Sequence, residues 1–216
     1  MKKIGLWASL WVVGMHMAYA APDSALINAY NEAAMGNEDR VEEVYHQLNG
    51  LIEQQGATPL TLVYLGSTQM LQGRDAFLPW NKMKYVEQGV ASIEKGLGLI
   101  DAMAQDKAQA MPDIVQGLPE NMLARAVAAI SLSQLPDLFN QLDHGYDLYL
   151  GLLAEPAFRS ANFEATAWIY GGAIEAALRS GDWVQAEAWL AEMGERHEDH
   201  PQTLKARTLV FSDRGL

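Results

Sequence analysis

Two stretches of the chain, residues 59–99 and 165–201, carry the same pattern: a helix, a glycine turn and a second helix whose inner face alternates small and large apolar residues. A helix pair of that kind leaves apolar surface on one side, so a neighbouring pair has to cover it. Arrays built this way serve as extended binding surfaces.

The helical signal runs through most of the chain. Val41, Val44, Tyr45, Leu48, Leu51 and Ile52 recur at steps of three, four and seven, which places them on one stripe of a helix over about 37–55. Val86, Val90, Ile93, Leu97 and Ile100 do the same, whereas alternating β-branched runs closed by tight turns do not occur. Gly36-Asn37, Gly73 and Gly181-Asp182 read as breaks, because glycine accepts a left-handed cap and Asn or Asp accepts the first free amides. Thr58-Pro59, Leu118-Pro119 and Leu135-Pro136 suit a first helical turn, where proline's missing amide hydrogen costs nothing. Helices are therefore expected near 23–35, 37–55, 59–72, 84–103, 119–132, 136–153, 162–180 and 182–197, with a short one after Pro201. The pattern weakens over 101–117, which reads as a long loop, with a hinge near 104–118 as the alternative.

Residues 1–20 have the layout of a cleavable export signal: Lys2 and Lys3, an apolar run over 4–17, and Ala18-Tyr19-Ala20 for the peptidase. The run is fourteen residues long and contains His16, short of the roughly 20 apolar residues a membrane span takes. The expected mature chain is one domain over 21–216 in the periplasm, and the absence of cysteine leaves it neither lipid anchor nor disulfide. Cleavage removes Lys2 and Lys3 and no acid, so 15 basic against 27 acidic residues become 13 against 27, and the net charge moves from −12 to −14. Such a chain repels phosphate backbones and anionic lipid, which argues against nucleic-acid and membrane partners.

Several residues resemble tetratricopeptide repeats. Leu65-Gly66 match the first helix of that repeat, Gly89, Ile93 and Gly96-Leu97 match its second helix, and the run EQGVASIEKGL over 87–97 follows the second-helix pattern. Gly181-Asp182-Trp183 resembles the turn, Ala186 and Leu190 the inner face, and Pro201 the closing proline. Gly36 to Gly73 spans 37 residues, near the repeat's period of about 34. Glycines stand where alanine is usual, an extra segment separates Gly73 from Tyr85, and 119–153 match poorly. The resemblance implies an all-α, irregular right-handed solenoid of about eight helices, similar to exported helical-repeat proteins of Gram-negative bacteria, and it implies no activity.

One segment stands apart. Residues 73–85, GRDAFLPWNKMKY, put Phe77, Trp80, Tyr85, Arg74, Lys82 and Lys84, with Asp75 beside them, into thirteen positions of an acidic chain. Aromatics and Arg are enriched where protein partners dock. The competing reading has Phe77, Leu78 and Trp80 filling the gap between helix pairs while Arg74 and Asp75 pair or cap a helix.

Other candidates are weaker. His197 and His200, with Glu198 and Asp199 between them, are ligand types for zinc, although a helix end also holds such residues merely solvated. His144 with Asp143 and Asp147, and His46 with Glu42 and Glu43, are spaced for pairing on a helix surface. Gly171-Gly172 suits close helix packing better than phosphate binding, and no G-x-S-x-G nucleophile motif occurs. The expectation is a periplasmic binding or adaptor protein that holds a protein partner of an envelope or transporter complex, using no cofactor and no catalysis. Two alternatives stand beside it: a small-ligand binder or enzyme with a helical pocket built from Trp168, Tyr170, Tyr146 and His144, and a metal carrier using 197–200.

Overall fold

Asp23, Thr58, Asn162, Asp182 and His200 each accept a backbone N–H from the start of the helix that follows them. These caps begin five of the ten α-helices in the computed structural model, which describes residues 21–105 and 113–214. The order is α1 (Ser24–Ala34), α2 (Glu38–Gln55), α3 (Pro59–Asp75), α4 (Pro79–Gln105), β1 (Ile114–Val115), β2 (Leu118–Pro119), α5 (Glu120–Ser133), a 3-10 turn (Asp137–Phe139), α6 (Leu142–Ala154), α7 (Pro156–Ser160), α8 (Phe163–Arg179), α9 (Trp183–His197) and α10 (Pro201–Asp213). The described residues are all-α apart from one small hairpin. No described helix is long and apolar enough to cross a membrane. The expected export signal lies outside the described residues.

Several boundaries differ from the sequence expectation. Gly73 ends nothing: it lies inside α3, where an added Cβ would meet Val86 Cγ2 at 3.0 Å and the Lys82 carbonyl at 3.1 Å. Pro79 opens α4, so the segment expected to separate two helices shrinks to Ala76, Phe77 and Leu78. Asn37 occupies the N-cap of α2 without a side-chain bond. The helix expected over 136–153 is broken by the 3-10 turn, after which Asn140 adopts a left-handed conformation at φ 52° and α6 begins. The short α7 is an extra α-helix, and the short helix expected after Pro201 is α10, thirteen residues long. At the end of the expected 101–117 loop, β1 pairs antiparallel with β2, just beyond it, through a turn at Gln116 and Gly117, both at positive φ. Leu118 of this hairpin is fully buried. Residues 106–112 of that loop lie outside the described residues.

Packing follows a regular rule. Sequential helices pair as α1 with α2, α3 with α4, α5 with α6 and α8 with α9. The first helix of each pair packs on the first of the next, giving α1 on α3, α3 on α5, α5 on α8 and α8 on α10. Each second helix also reaches forward, α2 to α3, α4 to α5, α6 to α8 and α9 to α10. One hydrophobic cluster runs from Leu26 to Val210 through these contacts.

The tightest pair is α3 with α4. A Cβ built at Gly89 would lie 2.6 Å from the Gly66 carbonyl oxygen, and one at Gly96 would lie 2.8 Å from that of Pro59. Gly66 and Gly73 on α3, and Gly89 and Gly96 on α4, are each seven residues apart, the spacing that keeps one seam against a partner helix. Ile93 fills the seam between Gly89 and Gly96 and is fully buried. Gly89→Ala forces the two backbones apart and should cost about 1–3 kcal/mol. Gly98→Ala, on the open side of the same helix with nothing within 4 Å of its Cβ, should add about 0.5–1 kcal/mol, because alanine loses less entropy in a helix. Denaturant midpoints of the two variants measure these opposite signs.

Candidate partner-docking site

Arg74 organises the end of the molecule where α3 turns into α4. Its guanidinium donates to both carboxylate oxygens of Asp75, at 2.6 and 2.9 Å, and to the carbonyls of Ala33 and Ala34 at the end of α1, at 3.1 and 3.2 Å, the Ala33 oxygen also accepting the Gly36 N–H. A cation on C-terminal carbonyls is favourable by hydrogen bonding and by the helix dipole. Asp75 pushes the Arg74 pKa above its usual value, so the charge stays on. Lys82 Nζ donates to the Arg74 carbonyl at 2.9 Å, tying the first turn of α4 back to α3. The Arg–Asp pair and the helix cap belong to the structural reading of this segment, and both are present.

The aromatic residues do the opposite of what gap-filling requires. Phe77 is 92% exposed and Trp80 66%, with Met83 at 42% and Met35, next to the carbonyls Arg74 holds, at 82%. Leu78 alone of the trio is partly covered. Trp80 and Met83, three residues apart, fall on one side of the opening of α4, and Phe77 stands on the turn just before it. Lys84 Nζ stands 5.9 Å from the centre of the Tyr85 ring and has no acidic partner among the described residues. The tip is thus a set of large apolar side chains in water, held on a braced turn, with lysines at its margin. Met35 was not legible as part of it, because Arg74 brings α1 there across 40 residues of chain. A signal for the start of α4 did exist: Leu78-Pro79 has the form already recognised at Thr58-Pro59.

The histidine cluster is built as structure. His200 is the N-cap of α10, its Nδ1 accepting from the Gln202 amide at 3.1 Å, while Nε2 faces a Glu164 carboxylate oxygen at 3.3 Å. Both ring nitrogens are engaged, and His197 stacks parallel to Phe163. No group of three or more potential metal ligands occurs among the described residues. His46 pairs with Glu42 at 3.0 Å one turn away, as its spacing suggested. His144 does not pair with Asp143 or Asp147: its Nδ1 lies 3.1 Å from Glu94 on α4, a partner that only packing supplies.

The residues proposed for a helical pocket point to different places. The Tyr146 hydroxyl donates to Asp182, the residue that also caps α9. Tyr170 is fully buried, its hydroxyl donates to Glu192, and its ring lies under Arg196. His144 faces α4, and Trp168 is half-buried. The Tyr149 hydroxyl is buried without a hydrogen-bond partner and presses on Gly172, where a Cβ would collide with it. That contact explains the glycine pair as packing. A crevice of about 190 Å³ nearby, lined by residues including Ser133, Glu175 and Arg179, encloses no room for a water molecule. The chain matches no family model, no curated protein and no solved structure.

Two predictions follow from these contacts. His200→Ala removes the α10 cap and should cost about 1 kcal/mol, whereas His200→Asn, which can cap, should cost less; zinc should leave both melting temperatures and that of the parent unchanged. Burial, then the Glu192 hydrogen bond, pushes the Tyr170 hydroxyl from 10.0 up to about 12. Its raised folded-state pKa makes this contribution to stability complete below pH 10 and lost as pH rises towards 12. Helicity monitored by circular dichroism should begin to fall in that window, and Tyr170→Phe should move the onset upward.

Proposed function

We propose that this chain is an exported helical-repeat adaptor that holds a protein segment of an envelope or transporter complex at the α3–α4 end and has no catalysis of its own. The first-on-first and second-on-next packing of its helices is what a right-handed, tetratricopeptide-like solenoid repeats, and it supports that finer description of the all-α fold. The layout of residues 1–20 supports the periplasm as its location. The observation that carries the reading is the exposure of Phe77 and Trp80 on a turn that Arg74, Asp75 and Lys82 hold in place. Aromatic side chains fixed in water offer contact area at small entropy cost on binding, which is why they anchor interfaces.

Lys84 and Tyr85 lie at the margin, and Arg74, Asp75 and Lys82 act from beneath as bracing. Trp80→Ala should leave thermal stability within about 0.5 kcal/mol of the parent, since an exposed side chain is removed. Capture of the partner from envelope extract should weaken by roughly 2 kcal/mol, about thirtyfold. A sharp loss of stability with normal capture would sink the docking role.

A further inference from the structure

The longest described helix, α4, has two opposite faces. Val86, Gly89, Ile93 and Gly96 face α3 and are buried, while Trp80, Lys84, Gln88, Ala91, Lys95 and Gly98 fall at steps of four, four, three, four and three on the other side, all exposed. That spacing keeps them on one stripe. We propose that this outer face, from Trp80 to Gly98, is the docking strip for an acidic helix of the partner protein. The inference rests on the adaptor reading and names the chemistry of what is held.

Charge is the argument for an acidic occupant. Six of the eight arginines stand in ion pairs within the described residues: Arg40, Arg74, Arg125, Arg179, Arg207 and Arg214. None of the four described lysines does, and three of them, Lys82, Lys84 and Lys95, lie on α4. Lys82 is taken by the Arg74 carbonyl, which leaves Lys84 and Lys95 as the α4 lysines without an acidic partner among the described residues, on a chain of net charge −12; the fourth, Lys205, lies on α10. They are three turns apart, about 16 Å along the axis, and Glu87 is the one acid on the stripe between them. Glu94, beside Lys95 in sequence, is turned to His144.

Shape argues for a helix. Ala91 lies between the lysines, one turn before Lys95, and Gly98 follows them, with nothing within 4 Å of the position its Cβ would take, so a second helix axis can come close at these small residues. Trp80 stands at one end as an apolar anchor. A partner helix with carboxylates three turns apart and a large apolar residue beyond them fits all three features. A phosphate backbone meets the repulsion of the whole chain.

The test uses the full chain and a displayed library of amphipathic helical peptides of mixed charge. Recovered peptides are expected to be acidic, to carry a large apolar residue, and to lose at least tenfold in affinity on Trp80→Ala. They should lose as much on the double change Lys84→Glu with Lys95→Glu, and a basic version of the same peptide should restore binding to that variant. A merely structural role for the lysines predicts no such rescue. Recovery of neutral or basic peptides, or indifference to the lysine reversal, overturns the strip. Sedimentation with phosphatidylglycerol and phosphatidylethanolamine vesicles that Trp80→Ala abolishes would assign the face to lipid and overturn it as well. If envelope capture depends on Trp80 but not on the lysines, the strip falls and the adaptor reading stands; capture that survives Trp80→Ala removes both.

Discussion

Backbone contact between α3 and α4 is the constraint on which the rest of the molecule depends. With Gly66 against Gly89, and Gly96 against Pro59, the two helices approach more closely than any side chain would allow. Dispersion contacts fall off steeply with separation, so close approach multiplies them along the whole seam. The consequence reaches further than the pair. With α4 pressed to one side, α3 is free to meet α1, α2 and α5 on its others, and it becomes buried around nearly its full circumference. Its polar residues are then satisfied within the interior: Thr68 donates to the Tyr64 carbonyl at 2.7 Å, and the Ser67 and Ser131 hydroxyls bond at 2.7 Å across to α5. Unpaired, each of those groups would cost free energy on burial.

The same close packing produces the exposed face. A helix held by a glycine seam needs only a narrow stripe to stay in place, so the opposite side of α4 is released from any duty in the core. Arg74 finishes the arrangement at the tip. By binding Asp75 and the carbonyls of α1 it braces a turn of three residues, with Phe77 on that turn and Trp80 in the first turn of α4 both left exposed. Large side chains are thus displayed by a rigid element, the arrangement in which ordering costs on binding are least.

Much of the fold was legible because helical periodicity, caps and proline positions are local properties. The stripe at Val41, Val44 and Leu48, the Thr58-Pro59 start and the Gly181-Asp182 turn all stand where local rules put them. Gly73 shows where those rules stop. As a residue it suits a helix end, yet in the folded chain it is a packing position against Lys82 and Val86, and no local signal separates the two uses. The 3-10 break near Pro136 and the hairpin at Gln116-Gly117 were hidden for a related reason, since each is stabilised by what packs on it: Arg179 binds the carbonyls of Ser133 and Leu135 there, and Leu118 is buried in the core.

The candidate site divides in the same way. The sequence by itself determined that residues 74–85 concentrate aromatics and bases in an acidic chain, and that one face of the following helix is small and apolar. Only the tertiary structure decided which members of that set are available. Arg74, Asp75 and Lys82 are spent on bracing, Phe77 and Trp80 remain in water, and Glu94 is withdrawn by a histidine fifty residues away. The physical reason is that composition and spacing are set along the chain, whereas exposure and pairing depend on which distant helix ends arrive alongside. Here that was decided by how closely two glycine-bearing helices could meet.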